Sequence, residues 1–165
     1  MKKFILFIVF LFLSFNPVFA QMLFQPFQIQ SNNTKNSSTE SIKKLNKKIE
    51  SGSASEDDYI ARGKIYMEKG KYTLAINDFS EAVKLNNLSL KAYVERAEAY
   101  FEMENIFGAK QDLSEIFNGV IPDVSKGSFY NNLWKRAYIL RAKIAEKEGD
   151  SASAEADYKT AENFN

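Results

Sequence analysis

The stretch that decides the fold is YIARGKIYMEKGKYTLAINDFSEAVKL, which runs from Tyr59 to Leu85. Small and aromatic residues recur in it at helical spacing, and the same spacing returns at Tyr93 and at Tyr138. A period of this size is typical of stacked supersecondary units, because one unit cannot bury its apolar face alone. The matching positions are Tyr59, Gly63, Tyr66, Ala75, Phe79 and Ala82, then Tyr93, Ala97, Tyr100, Ala109, Leu113 and Ile116, then Tyr138, Ala142, Ala145, Ala154, Tyr158 and Ala161.

Each copy of the pattern predicts two helices joined by a short turn. In the first copy we expect helices over residues 56–69 and 72–85, with Gly70 in the turn, because Gly suits the left-handed conformation that follows many helix ends. Gly63 lies inside the first helix, where Gly costs about 1 kcal/mol relative to Ala. We therefore expect Gly63 to permit close packing against the second helix.

This pattern resembles the tetratricopeptide repeat, which carries an aromatic, Leu-Gly and an aromatic in its first helix, then Ala, an aromatic, Ala and a closing Pro. Arg62 stands where Leu is usual, and Asn87 stands where Pro is usual. The resemblance covers residues 56–89, 90–118 and 135–165. It implies an all-α fold, a right-handed solenoid of three helix-turn-helix repeats.

The beginning of the chain has the layout of a secretory signal peptide. Lys2 and Lys3 precede an apolar run from Phe4 to Phe15, and Ala20 ends a plausible cleavage site, so residues 1–20 form the predicted signal. An uncleaved anchor is the alternative, but the run is shorter than the roughly 20 residues of a membrane span. We expect an exported, periplasmic or secreted protein, of a bacterium by its Lys- and Asn-rich composition, with no transmembrane span after cleavage.

Residues 21–39 are predicted to be a disordered linker, since Gln, Ser, Asn and Thr dominate them. Apolar side chains between Met22 and Ile29 leave a second hypothesis open, in which this segment docks on the protein's own groove or on a membrane protein. The tetratricopeptide-like domain is predicted to occupy residues 40–165.

The domain is expected to begin with a capping helix over residues 40–51. Ile42, Leu45 and Ile49 form one apolar stripe on that helix. A helix in this place would cover the open end of the stack, whose internal faces are apolar. A membrane-surface helix is the alternative interpretation.

An insertion is predicted over residues 119–134, because the second and third copies stand farther apart than the first and second. Gly and Pro residues favour a loop in its first part, and we expect the next helix to run from near Ser128 to Lys147. Trp134 has two interpretations. It packs under the inserted loop, or it anchors a partner protein at the edge of the stack.

The composition excludes several kinds of chemistry. The chain contains no Cys and no His, so thiolate or imidazole metal ligands and Cys or His catalysis are impossible within it. No stretch has the spacing of a calcium loop or of a phosphate-binding Gly-rich loop. A Ser–Lys or paired-carboxylate hydrolase would need a rigid pocket, whereas short repeats offer a groove. We therefore predict no enzyme, no cofactor and no metal.

The charge balance indicates a protein partner and no nucleic acid. The chain has 22 basic and 21 acidic residues, and removal of Lys2 and Lys3 with the signal changes the net charge from +1 to −1. A nucleic-acid-binding domain usually carries a basic patch on a basic domain. We therefore predict a scaffold that binds another protein or peptide in the periplasm or envelope, or alternatively a structural envelope protein that associates with itself.

The first helices line the concave side in the resembling family, which implies a groove. Its lining is predicted to mix apolar and charged side chains, which suits an amphipathic helix or an extended peptide. The family's carboxylate-clamp activity is not implied, because apolar residues stand at the clamp positions. Self-association through the C-terminal helix or the Trp134 edge, and a groove covered by the N-terminal segment, are the alternatives. The predicted groove residues are Ile60, Lys64, Met67, Val94, Glu98, Phe101, Ile139 and Lys143.

Overall fold

The computed structural model describes residues 37–118 and 128–164, and these residues form seven helices and no strand. The repeats belong to one compact unit, which begins at Lys44. Helix α1 covers residues 37–50. The other helices are α2 (Glu56–Glu68), α3 (Tyr72–Leu85), α4 (Leu90–Glu102), α5 (Ile106–Phe117), α6 (Ser128–Glu148) and α7 (Ser151–Ala161).

Three helix pairs, α2–α3, α4–α5 and α6–α7, form the repeats that the sequence predicts. The first helices of the repeats are α2, α4 and α6, and the second helices are α3, α5 and α7. Each pair packs closely within itself and contacts the next pair along the chain. The prediction of an all-α solenoid of helix-turn-helix repeats is thereby confirmed.

Side chains just before the helices satisfy their first backbone N–H groups. Ser55 accepts a hydrogen bond from the backbone N–H of Asp58, whose carboxylate accepts one from the backbone N–H of Ser55 in return. Ser89, Asn105 and Asp150 cap α4, α5 and α7 in the same manner. Such caps stabilise a helix start by about 1 kcal/mol, so the sequence determines where these helices begin.

Close packing of α2 on α3 depends on Gly63. A Cβ atom added at Gly63 would lie 2.5 Å from Cε1 of Phe79, closer than any unstrained contact. Phe79 is fully buried, together with Ala75 and Ala82 on the same face of α3. The predicted role of Gly63 is confirmed, because the aromatic ring occupies the space that a side chain would need.

A guanidinium–carboxylate pair joins the two helices of every repeat. In each repeat an Arg in the first helix donates two hydrogen bonds to the carboxylate of an Asp sixteen residues later in the second helix. Bidentate geometry of this kind fixes both the distance and the orientation of the two helices. The pairs are Arg62–Asp78, Arg96–Asp112 and Arg141–Asp157.

The same arginines also reach the preceding helix at the first two junctions. Nη1 of Arg62 donates to Oδ1 of Asn46 in α1 at 2.7 Å, and Nη1 of Arg96 donates to Oγ of Ser80 in α3 at 3.2 Å. Asn46 and Ser80 lie 34 residues apart, which is the repeat period. Helix α1 therefore occupies the position of the second helix of a preceding repeat.

Helix α1 extends farther toward the N-terminus than the sequence indicates. Residues 37–39 are helical, although they were predicted to belong to the disordered linker. The hydroxyl of Ser41 donates to the carbonyl oxygen of Ser37 at 2.9 Å, so short polar side chains bond within the helix instead of ending it. The prediction of disorder, which rested on composition alone, was therefore wrong for these residues. The predicted signal peptide and the rest of the linker lie outside the described residues.

The third junction differs from the other two. An aromatic cluster fills it, in which the ring of Phe117 lies 5.9 Å from that of Trp134 and 4.8 Å from that of Tyr138. Phe164 stacks on Tyr138 at 5.6 Å. Helix α6 begins at Ser128, as predicted, whereas residues 119–127 of the predicted insertion lie outside the described residues.

Over residues 37–118 and 128–164, each helix is too short or too polar to cross a bilayer.

The turn of the second repeat carries backbone strain that the other two repeats avoid. Gly70 and Gly149 have φ values of 65° and 82° at matching positions, and Glu104 takes φ = 58° at the third. This left-handed conformation disfavours residues with a Cβ atom by roughly 1–2 kcal/mol. We predict that Glu104→Gly raises the free energy of unfolding by about 0.5–1 kcal/mol, part of the strain being offset by the entropy that Gly loses on folding.

Urea denaturation of the wild type and of Glu104→Gly measures this gain. The reciprocal change Gly70→Ala is the matched control, and we expect it to lower the free energy of unfolding by about 1 kcal/mol. An unchanged or lower stability of Glu104→Gly would show that its turn is not strained.

Candidate functional site

A groove runs along the side of the stack that the first helices α2, α4 and α6 form. It contains a cavity of about 350 Å³, near the lower end of the roughly 300–1,000 Å³ of ligand pockets. Apolar side chains from all three repeats and charged side chains from α4 and α6 meet there. The lining residues are Met67, Tyr72, Glu98, Phe101, Glu102, Arg136, Ile139, Leu140 and Lys143.

The structure brings five predicted groove residues together in this cavity. They are Met67 of α2, Glu98 and Phe101 of α4, and Ile139 and Lys143 of α6. Their assignment to a partner-binding surface stays a prediction. Tyr72 and Leu140 line the cavity as well, and sequence reasoning missed them. Tyr72 begins a second helix, and the prediction considered only residues of the first helices.

Two predicted groove residues are core residues instead. Ile60 is 1% exposed and Val94 is 0% exposed, so neither offers a surface to a partner and this part of the prediction is wrong. The first helix of the next repeat covers each of them. Ile60 packs in one cluster with Ala92 and Ala99 of α4, and Val94 packs with the buried residues of α6. Ile139 stands at the matching position in α6 and remains accessible in the cavity.

The predicted edge anchor Trp134 is also buried. It is 8% exposed and packs in the core beside Phe117 and Tyr138. Its indole N–H finds no acceptor among the described residues. An anchor for a partner must be accessible, so the assignment of Trp134 to a partner-binding edge is wrong. Whether it packs under the inserted loop concerns residues outside the described ones.

Four charged side chains form a network that spans the three first helices beside the cavity. Nη1 of Arg136 donates to Oε1 of Glu95 at 3.0 Å, and Nε of Arg136 donates to Oε1 of Glu98 at 2.9 Å. Nζ of Lys64, the remaining predicted groove residue, lies 3.5 Å from the same oxygen of Glu95. The network therefore connects all three repeats. Glu95 was not predicted, and its sequence position carries no signal for this role.

Arg136 stays protonated in this network. Burial acts to lower the pKa of Arg136, but its hydrogen bonds to Glu98 and Glu95 raise the pKa above the ordinary value. The side chain of Glu95 is 5% exposed, so its carboxylate depends on Arg136 and Lys64 for compensation. A buried carboxylate that loses its partners is strongly destabilising. The network is thus a structural support of the groove, and its charges are already paired.

Two other charged side chains of the groove take no part in such pairing within the described residues. Glu102 and Lys143 form no hydrogen bond or ion pair within residues 37–118 and 128–164, and both are exposed. Nζ of Lys147 lies 5.3 Å from the ring centroid of Phe101, within the range of a cation–π contact. The groove can therefore offer an apolar centre with one carboxylate on α4 and ammonium groups on α6.

No group of three or more acidic side chains that could hold a metal ion occurs among the described residues, and the sequence contains neither Cys nor His. What the groove offers is apolar contact and paired or free surface charge.

Stacked helix pairs with this connectivity define an α-helical repeat protein. A family model of the TPR repeat matches residues 63–104, and a model of the tetratricopeptide repeat matches residues 135–165. The chain thus contains tetratricopeptide repeats over these residues, and such repeats are in general protein–protein interaction modules. No curated protein matches the chain significantly.

Because of this network, we predict that Arg136 contributes more to the stability of the fold than a partly exposed side chain usually does. We expect Arg136→Leu to lower the free energy of unfolding by about 3 kcal/mol, because it leaves Glu95 buried with one distant partner. Lys143→Leu on the same helix is the matched control, and we expect it to change stability by less than about 0.5 kcal/mol. Thermal and urea denaturation measure both. Equal effects of the two substitutions would contradict a structural role of the network.

Proposed function

We propose that this protein is a non-catalytic scaffold that binds a helix or an extended peptide of another protein in the groove between its first helices. The observation that carries the proposal is the cavity to which all three repeats contribute, with Met67, Phe101 and Ile139 at its apolar centre. An apolar side chain placed there would leave water and contact three helices at once. Anchors of this kind supply most of the binding energy in protein interfaces.

The charges beside the cavity favour a polypeptide over a nucleic acid. The carboxylate of Glu102 belongs to α4 and the ammonium groups of Lys143 and Lys147 belong to α6, so the groove carries both signs. Nucleic-acid sites are usually dominated by basic residues. Charges of both signs next to an apolar strip instead fix the register and direction of a bound peptide.

Self-association lacks the surfaces on which that alternative rested. Trp134 is buried, as described above. The residues of α3 that face the next repeat have charged counterparts at the matching positions of the third repeat. A polar outer face of this kind is typical of a terminal repeat. We therefore favour a heterologous partner. The residues compared are Ile76, Ser80 and Val83 in α3, and Glu155 and Lys159 in α7 with Glu162 directly after it.

The groove is tested by photo-crosslinking in cells from a probe amino acid at position 139. We expect one dominant adduct with another protein. Phe101→Asp should abolish the adduct, because it places a charge at the apolar centre, while circular dichroism shows little loss of helix. Phe107→Asp is the matched control, since Phe107 is 72% exposed on α5 and lies outside the cavity. An adduct that persists unchanged in Phe101→Asp would contradict the groove proposal.

The proposed place of action is the periplasm or the cell exterior, after removal of residues 1–20. The basic start and the apolar run from Phe4 to Phe15 support export. We expect the protein to fractionate with periplasmic or secreted proteins, and intact-mass spectrometry to give a chain that begins at Gln21. Replacing three apolar residues of the run by Asp is the control and should retain the protein in the cytoplasm. A mature mass that includes residues 1–20 would contradict cleavage.

A further inference from the structure

At the first two junctions, Nη1 of an Arg links the repeat to the preceding helix by a hydrogen bond, and this bond is missing at the third junction among the described residues. Arg62 and Arg96 each use Nη1 to bond a neutral side-chain oxygen of the preceding second helix. Arg141 donates from Nε and Nη2 to Asp157 at 2.7 and 2.6 Å, but its Nη1 has no acceptor among the described residues. Within residues 37–118 and 128–164, one donor of this guanidinium is thus without a protein acceptor.

The missing acceptor would be Ser114, which lies 34 residues after Ser80. Its hydroxyl instead accepts a hydrogen bond from Nδ2 of Asn118 at 2.7 Å. The side chain of Arg141 is 41% exposed, against 18% for Arg62 and 17% for Arg96. The longer connection between the second and third repeats thus coincides with a separation of Arg141 from its expected partner.

A second cavity, of about 300 Å³, lies where this link is missing, and we call it the junction cavity. Arg141 and Ser114 both line it. Helices α5, α6 and α7 surround it, so it lies on the side of the second helices and uses a different face of α6 from the groove. Its apolar wall consists of Leu113, Phe117, Ile144 and Ala145.

The cationic groups that line the junction cavity are already paired with carboxylates. Lys110 bonds the carboxylate of Glu148 at 2.8 Å, and the guanidinium of Arg141 donates two hydrogen bonds to Asp157, which raise the pKa of Arg141. Asp150 accepts hydrogen bonds from the backbone N–H and the hydroxyl of Ser153, which carry no charge. An anionic ligand would therefore find no uncompensated positive charge, whereas a neutral oxygen could accept from Nη1 of Arg141.

We propose that the junction cavity is a second binding site, which takes a short polypeptide segment with one apolar side chain and a neutral carbonyl oxygen. The side chain packs against Leu113, Phe117 and Ile144, and the oxygen accepts a hydrogen bond from Nη1 of Arg141. The two complete junctions supply the template, because a carboxamide oxygen at Asn46 and a hydroxyl oxygen at Ser80 fill this role there. The site does not depend on the groove.

The cavity's size and chemistry select this class of ligand. Its volume is at the lower end for ligand sites, so it fits one or two residues and not a long helix. A hydrogen bond in which the donor is charged is stronger than one between two neutral groups. The apolar wall adds contact area that a water molecule in the same place would not use.

The test is a side-chain and backbone NMR titration of the full chain with N-acetyl-leucine N-methylamide, which carries an apolar side chain and two amide carbonyls. We expect saturable shifts in the millimolar range at the guanidinium of Arg141 and at the backbone of residues 113–117. Arg96 should not respond, because its Nη1 is already bonded to Ser80. N-acetylglycine N-methylamide, which lacks the side chain, should bind at least tenfold more weakly.

Two variants make the test decisive. Ala145→Leu fills the cavity, and Ser114→Gln supplies the missing acceptor from the chain itself, so each should weaken the leucine probe at least tenfold. Ala61→Leu is the control at an exposed position of α2 and should bind like the wild type. The proposal is overturned if Arg141 does not respond up to the solubility limit of the probe, if Arg96 responds equally, or if both cavity variants bind like the wild type.

Discussion

The guanidinium–carboxylate pair inside each repeat is the interaction on which the register of the stack depends. An apolar contact between two helices tolerates sliding and rotation, whereas two parallel hydrogen bonds between planar groups do not. Both partners lie close to the core, the Asp side chains being 4–10% exposed. A buried pair of this kind adds little net stability over an apolar pair of the same size. Its contribution is to select one alignment of the two helices among the many that Ala and aromatic residues would allow.

The alignment within each repeat also decides what the groove can expose. With the helices in register, Ala92 and Ala99 let α4 approach α2 closely enough to cover Ile60. Near the ends of the same helices the larger Met67 and Phe101 stand at the surface, and the cavity opens between them. The groove is therefore apolar over a short length, and Arg136 with its two Glu partners occupies the wall beside it. Fold and candidate site are determined by the same spacing of small and large residues.

Much of the fold could be predicted from the sequence, because it rests on local patterns. Helix ends follow from caps and from Gly70, and the close approach at Gly63 follows from a costly residue in a helix interior. The Arg–Asp pairs were not predicted, although the sequence carries a signal for them, since Arg62 departs from the family pattern at a position where all three repeats carry Arg. The sequence did not show which of several equivalent residues would be exposed. Ile60 and Ile139 share a register position, and only the presence of a following first helix buries one and leaves the other accessible.

The third junction shows how a repeat array acquires new surface without a new fold. Each repeat contacts only its neighbours, so extra residues between two repeats alter one junction and leave the others intact. At that junction the hydrogen bond from an Arg Nη1 to the preceding second helix is missing among the described residues, and the rings of Phe117, Trp134 and Tyr138 provide apolar contact there. Aromatic contacts hold the helices together but satisfy no hydrogen-bond donor. Nη1 of Arg141 therefore has no acceptor among the described residues, and Arg141 lies next to an apolar wall, a combination that the two complete junctions do not have.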